Sequence, residues 1–266
     1  MKTLSTTLFL LVLGPVILAQ QPEFKSLYEQ WIEGRKVDAE LEKLAADQAR
    51  SVEDRFNASY LLGLVALQHG SASAAGEHLD RCEGLRPGTP QVSIRRAEVL
   101  LLEKKSDEAM KEIEKAAKKV GDSKALQLRQ QIVQARIEIA KGDAKKAAER
   151  LEKWSKSQKK DWEIPFFLGR AYEALDKPKD CLAAYEACIA NLPKQDPCIG
   201  VYALQRWAAI AVSSDKGSYG NPKLLEKAIE RYQAFLERAT KNEVPEDLLD
   251  NVESTIRTLK MFSQPR

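Results

Sequence analysis

The chain has 266 residues, of which 44% are hydrophobic and 30% are charged. This is enough for a sizeable core in one or two domains or in one elongated array, and it gives no sign of disorder. The 42 basic and 39 acidic residues leave a formal net charge of only +3. This near balance argues against the strongly basic surface of a nucleic-acid-binding protein.

The N-terminal segment MKTLSTTLFLLVLGPVILAQQ has the pattern of a cleaved secretory signal. Lys2 supplies an early positive charge, an apolar stretch runs from Leu8 to Leu18, and Ala19 precedes two glutamines. The stretch is short for a helix that must cross a bilayer core of about 30 Å. We therefore predict a signal peptide over residues 1–19 and an exported protein, periplasmic or secreted, with no membrane segment in the mature chain. An uncleaved anchor is the alternative.

One pattern of small, apolar and turn-forming residues, which we call the ladder, returns along the chain at the same steps. Two copies are complete: Gly63, Ala66, Ala75, Leu79, Cys82, Pro87 and Gly169, Tyr172, Cys181, Tyr185, Cys188, Pro193. Partial copies run through Ala97 to Gly121, Ala135 to Trp154, Ala228 to Phe235 and, with a lysine at the aromatic position, Ala39 to Ala46. The positions that open the second helix of each copy lie 34 to 47 residues apart, and most spacings are close to 34.

The steps have a physical explanation in pairs of antiparallel helices. A glycine or alanine in the first helix lets the second helix approach closely, and the aromatic residue fills the space between neighbouring pairs. Proline after the second helix stops it and turns the chain. Apolar residues from Leu248 to Phe262 recur at helical spacing and predict a last amphipathic helix over residues 245–263.

The period and the pattern resemble the tetratricopeptide repeat (TPR) family. The resemblance implies an all-α fold, a right-handed superhelical solenoid of about six antiparallel helix pairs with a C-terminal capping helix. It implies one TPR-like domain over residues 20–266. The predicted repeats cover approximately residues 23–50, 56–89, 90–122, 126–160, 162–195 and 198–240, and the capping helix covers 245–263.

The resemblance also implies a non-catalytic scaffold whose first helices line a concave groove for a peptide or protein partner, in an envelope or secretion assembly. The residues expected in the groove are Tyr60, Leu64, Gln68, Ile94, Glu98, Leu101, Arg129, Ile132, Arg136, Ile139, Phe166, Arg170 and Glu173. Arg136 and Arg170 lie one repeat apart and, with Arg129, could bind a carboxylate or an acidic segment. Pairing with a local glutamate such as Glu138 or Glu173 is the alternative.

Residues 141–160 carry a local excess of lysine, including Lys145, Lys146 and Lys153. This excess predicts a cationic surface on the fourth repeat that could meet an acidic partner, an anionic lipid surface or a polysaccharide. The alternative function is therefore recognition of an anionic cell-wall or surface polymer. A solvated charged face without a ligand is the other interpretation.

Metal, cofactor and enzyme signals are weak. His69, His78 and Cys82 are the candidate metal ligands, but His78 and Cys82 alone, four apart on one helix, fall short of the three or four protein ligands that a zinc site needs. The chain has no glycine-rich phosphate loop and no nucleophile elbow. We therefore predict no metal, no cofactor and no catalytic site.

The four cysteines would meet an oxidising compartment if the signal peptide is real. Cys188 and Cys198 flank a turn almost symmetrically, so antiparallel helices would bring them alongside each other and a disulfide could join them. Cys181 with Cys198 is the second possible pair. Alternatively, the cysteines at ladder positions are free thiols that serve as small apolar fillers.

Overall fold

The computed structural model of the chain describes residues 22–32, 35–191, 206, 222–239 and 246–263. Its regular elements are α-helices, and no strand occurs in this part of the chain. The all-α prediction is confirmed. The chain divides into two compact units, Met1–Lys141 (unit 1) and Gly142–Arg266 (unit 2).

The described helices of unit 1 pack as consecutive hairpins. They are α1 (Pro22–Ile32), α2 (Asp38–Ala46), α3 (Val52–Gln68), α4 (Ala72–Leu85), α5 (Pro90–Leu102), α6 (Ser106–Ala117) and α7 (Lys124–Ala140). The pairs α3/α4 and α5/α6 run side by side, and α5 also packs on α4. α7 packs on both α5 and α6. The first helices α3, α5 and α7 are thus neighbours in one stack, as expected of a helical repeat.

The described helices of unit 2 are α8 (Ala144–Ser155), α9 (Glu163–Ala174), α10 (Pro178–Asn191), α11 (Pro222–Ala239) and α12 (Glu246–Ser263). α9 packs on α8 and on α10. α11 packs on α12, whose Val252, Ile256 and Leu259 are buried. The predicted last amphipathic helix is therefore present. The assignment of all repeats to one domain stays a prediction.

Capping residues fix where the long first helices begin. Ser51 accepts a hydrogen bond at Oγ from the backbone N–H of Asp54 (3.0 Å), and Ser123 does the same for Leu126 (3.4 Å). Each serine satisfies one of the free N–H groups of a first helical turn. Helix α3 ends before Gly70, whose φ of 72° is a left-handed conformation that glycine adopts without strain.

The ladder glycines lie where a first and a second helix touch. A Cβ atom built on Gly169 would lie 2.6 Å from Cε1 of Tyr185, closer than two such carbons can come. A larger residue at this point of the α9/α10 hairpin therefore requires the ring of Tyr185 to shift. At Gly63 in the α3/α4 hairpin, the same atom would lie 3.4 Å from Cδ2 of Leu79, which is a tight but ordinary contact.

The other ladder positions are buried in most copies but not in the first. Ala75, Ala109, Ala147 and Ala228 open the later second helices, and all are completely buried. In α2, however, Ala39 and Ala46 are exposed, while Leu41 and Leu44 face the core. The ladder copy predicted at Ala39 and Ala46 is wrong, because α2 turns its leucines towards α3 instead.

The helix α3 is buried along most of its length. Residues 56–67 are all buried, since α1, α2, α4 and α5 each pack on this helix. Phe24 and Leu27 of α1 belong to the same hydrophobic core. A second core joins α5, α6 and α7 around Ile113, Val133 and Ile137. These two cores fix the register between the first helices of unit 1, and that register sets the charged contacts described next.

Candidate functional site

A group of charged side chains joins the first helices of unit 1. We call Tyr60, Arg95, Glu98, Arg129 and Arg136 the Glu98 cluster. Arg95 donates from Nη1 to Oε2 of Glu98 (2.7 Å) and from Nε to the hydroxyl of Tyr60 (3.1 Å). Arg136 donates to Oε1 of Glu98 (2.6 Å), and Arg129 donates to the same oxygen. One carboxylate of α5 thus binds an arginine of its own helix and two of α7.

The Glu98 cluster is enclosed. The side chains of Arg95 and Arg129 are 1% exposed and that of Glu98 is 3% exposed, while Arg136 reaches 11%. Charges in such surroundings are costly to bury unless they are paired and hydrogen-bonded. The four ionised groups therefore hold each other in place, and α5 and α7 are joined by a charged contact rather than by apolar packing alone.

The electrostatics of the cluster follow from this enclosure. Burial alone would raise the pKa of Glu98, but Arg129, Arg95 and Arg136 outweigh it and lower that pKa to about 2. Burial lowers the pKa of Arg95, but Tyr60 and Glu98 together raise that pKa by more than burial lowers it. This guanidinium therefore stays charged. Tyr28 of α1 lies close by, and burial raises its pKa to about 12. Glu98 is therefore an anion at neutral pH.

A second charged group lies in unit 2 and is more open to solvent. We call Arg170, Glu173, Tyr185 and Arg206 the Glu173 cluster. Tyr185 donates its hydroxyl hydrogen to Oε1 of Glu173 (2.8 Å), and Arg206 donates to Oε2. Nε of Arg170 lies 3.6 Å from the same Oε2. The side chains of Arg170 and Arg206 are 38% and 39% exposed, so both are partly open to solvent.

The predicted groove residues divide into two sets. The buried set is Tyr60, Leu64, Ile94, Glu98, Arg129, Ile132 and Phe166, and the partly exposed set is Leu101, Arg136, Ile139, Arg170 and Glu173. The side chain of Gln68 lies outside the described part. The buried set differs from the exposure expected of a groove, because these side chains pack between first helices. Their role in binding a partner stays a prediction.

The arginines predicted to bind a partner are paired with glutamates of the chain itself, which was the alternative interpretation. Arg170 lies beside Glu173, the local partner expected from the sequence. Arg136 pairs with Glu98, which lies 38 residues earlier in the chain. Arg129 pairs with the same carboxylate. The carboxylate expected from a partner protein is thus supplied by the chain itself in unit 1.

Two participating arginines were not expected from the sequence. Arg95 stands three residues before Glu98 on α5, a spacing that places both side chains on one helical face, so the i, i+3 pair was a usable signal. Arg206 binds Glu173 across 33 residues, and nothing local in the sequence marks that contact.

The predicted cationic residues Lys145, Lys146 and Lys153 are all exposed on α8. Lys146 pairs with Asp143 at 3.2 Å. Neither Lys145 nor Lys153 has an ion-pair partner among the residues the structure describes. The predicted basic surface is therefore present on α8.

Three of the four cysteines lie in the described part of the chain. Cys82, Cys181 and Cys188 are buried there and form no disulfide with one another, and burial raises the pKa of each thiol. Cys198 lies outside the described residues, so a disulfide with Cys188 or Cys181 stays a prediction. His78 lies 3.9 Å from Glu42. Across the described chain, no three His, Cys, Asp or Glu side chains are grouped so that they could hold a metal ion.

Comparison with known proteins gives limited similarity. No protein-family model and no curated protein matches the chain. The solved structure "MamA RS-1 ArsTM double mutant" is 15% identical, with a TM-score of 0.47, and the match covers 72% of this chain and 98% of that one. For "MamA 41-end from Desulfovibrio magneticus RS-1" the identity is 15%, the TM-score 0.46 and the coverage 73% and 100%. At such scores, the fold is assigned from the helix packing described above. None of the described helices has the length and apolarity needed to cross a membrane.

Proposed function

We propose that this chain is a non-catalytic, exported helical-repeat scaffold that binds a peptide or protein partner, in an envelope or secretion assembly. Stacked helix hairpins present a continuous surface from their first helices, and repeat proteins use such surfaces for binding. The pairs α3/α4 and α5/α6 in unit 1 and α9/α10 in unit 2 support this proposal. Export rests on the N-terminal pattern alone, and sequencing of the purified protein should find Gln20 as its first residue.

The Glu173 cluster is the observation that carries the proposal. Arg170 and Glu173 lie on the first helix α9, and the cluster combines two arginines that are more than a third exposed with a carboxylate that is 16% exposed. An acidic side chain or a terminal carboxylate of a partner can compete with Glu173 for these guanidinium groups, which bind carboxylates in a bidentate fashion. We therefore place the partner's acidic group at Arg170.

The test is affinity capture from the native extract with residues 20–266 as bait. Three forms are compared: the wild type, Arg170→Glu, and the control Lys179→Glu. Lys179 is exposed on the second helix α10 of the same hairpin, so the control makes the same change of charge away from the first helix. Circular dichroism establishes that all three forms are equally helical.

Each outcome has a defined meaning. A protein captured by the wild type and by Lys179→Glu, but at least tenfold less by Arg170→Glu, supports binding at the Glu173 cluster, because a reversed charge repels an acidic partner. Equal capture by all three forms refutes this location. Capture of no protein by any form overturns the proposal of a protein partner.

A further inference from the structure

The segment that contains α8 differs in charge from its counterpart one repeat earlier. Residues 143–160 hold seven basic and three acidic residues, whereas residues 105–122, which lie 38 positions earlier and contain α6, hold five of each. Ala147 and Ala109 are the corresponding buried ladder positions. The two segments thus share their structural pattern, and the excess of lysine is particular to α8 and the turn after it.

The excess charge is not neutralised within the described chain. We call Lys145, Lys153, Lys156, Lys159 and Lys160 the α8 lysine surface; all five are exposed, and none has an ion-pair partner among the described residues.

Two of the acidic residues nearby are already engaged. Asp143 binds Lys146, and Glu152 accepts a hydrogen bond from the hydroxyl of Tyr172 at 2.8 Å. On α6, by contrast, Lys115 binds Glu112 at 2.6 Å. The basic charges of α8 therefore face solvent together.

The lysines are held on a defined backbone. The N–H of Gln158 bonds to the carbonyl of Trp154 (3.0 Å) and closes the end of α8. Asn191 of α10 donates from Nδ2 to the carbonyls of Lys159 (2.9 Å) and Asp161 (3.2 Å). The turn that carries the last two lysines is thus tied to a neighbouring helix, which reduces the ordering cost of binding.

The arrangement favours a ligand with charges spread along its length. Lys145 and Lys156 lie about 16 Å apart along the axis of α8 at a rise of 1.5 Å per residue, with Lys153 between them on the same side. Lysine heads act as hydrated point charges, whereas recognition of a single planar group uses arginine forks. Such a row matches an extended polyanion better than a small anion.

Two other kinds of ligand, a membrane surface and a single-stranded nucleic acid, fit the α8 lysine surface less well. Adsorption on a membrane is strengthened by apolar side chains beside the cations, but the large hydrophobic residues exposed in the described chain, Val52 and Met261, lie outside residues 143–160. Single-stranded nucleic acid is bound by stacking on aromatic rings, but the one aromatic residue of this segment, Trp154, is half-buried.

We propose that the α8 lysine surface binds an extended anionic polymer that carries phosphate or carboxylate groups along its chain. This site is separate from the Glu173 cluster, so either proposal can fail without the other.

The test measures binding of long-chain inorganic polyphosphate by titration calorimetry, with orthophosphate as the monomeric probe. The variant Lys153→Gln/Lys156→Gln is compared with Lys115→Gln/Lys118→Gln, which removes two charges at the corresponding positions of α6 and leaves the same net charge. Vesicles of equal parts phosphatidylglycerol and phosphatidylcholine form a parallel arm.

We expect the wild type and the α6 variant to bind polyphosphate alike, and the α8 variant to bind about tenfold more weakly with a smaller salt dependence, since fewer counterions are displaced. Orthophosphate should bind far more weakly than the polymer. Equal loss in both variants, or none in the α8 variant, overturns the site. Binding to the vesicles but not to polyphosphate, with the same lysine dependence, overturns the polymer in favour of a membrane surface.

Discussion

Glu98 in unit 1 and Glu173 in unit 2 both lie on first helices and both bind arginines, but their surroundings differ. Glu98 is 3% exposed and contacts three arginines, while Glu173 is 16% exposed and contacts two arginines and a tyrosine. The arginines at Glu98 are enclosed or nearly so, whereas those at Glu173 reach solvent. The same residue type on the same kind of helix is thus a structural contact in one unit and an accessible group in the other.

The difference has an energetic consequence. A buried carboxylate with bound guanidinium groups is costly to break from one side, because the remaining charges stay enclosed without compensation. At a partly exposed pair, water replaces the lost partner and the net contribution is small. A partner protein can therefore compete for the arginines at Glu173 at little cost, but not for those at Glu98.

The largest expected effect is that of Glu98→Gln. This change leaves three arginines of unit 1 around a neutral amide, and we expect the free energy of unfolding to fall by about 3–5 kcal/mol. The matched change Glu173→Gln in unit 2 should cost at most about 1 kcal/mol. Hydrogen exchange measured by mass spectrometry follows α5 and α9 separately in each variant. Equal losses of protection in the two helices would contradict the comparison.

The sequence predicts the contacts within a hairpin better than those between hairpins. Gly169 and Tyr185 belong to one hairpin. Its short turn fixes which residues of the two helices meet, so the spacing in the sequence predicts their contact. Glu98 and Arg136 were both expected on first helices, but their contact depends on the register between α5 and α7, which the surrounding apolar cores set. Local spacing cannot reveal that register.

The first repeat shows another limit of the sequence pattern. Ala39 fits the ladder by spacing, yet it is exposed, while Leu41 and Leu44 pack on α3. The orientation of α2 thus follows its largest apolar side chains rather than its small ones.

Acid should destabilise unit 1 through Glu98. The pKa of this carboxyl is lowered from 4.5 to about 2 in the folded chain, so its contribution is complete above the unfolded value and is lost as the pH falls from about 4.5 towards 2. By linkage this contribution is about 3 kcal/mol. We expect protection of α5 to fall over that range in the wild type, and to fall less in Glu98→Gln. A variant with the same acid dependence as the wild type would show that another carboxyl is responsible.

The smallest effect compares the two ladder glycines. Gly169→Ala places a methyl group 2.6 Å from the ring of Tyr185, which must shift and draw its hydroxyl away from Glu173. Overpacking of this kind costs about 1–3 kcal/mol. Gly63→Ala meets Leu79 at 3.4 Å, and the better helix propensity of alanine offsets that contact by up to about 1 kcal/mol.

Urea denaturation of each glycine variant is the measurement, and the order of the two effects is the prediction. We expect Gly169→Ala to lower the midpoint clearly and Gly63→Ala to leave it nearly unchanged. The double variant Gly169→Ala/Tyr185→Leu relieves the contact with the ring and should recover part of the loss. If it recovers nothing, Gly169 is needed for a reason other than the close approach of Tyr185.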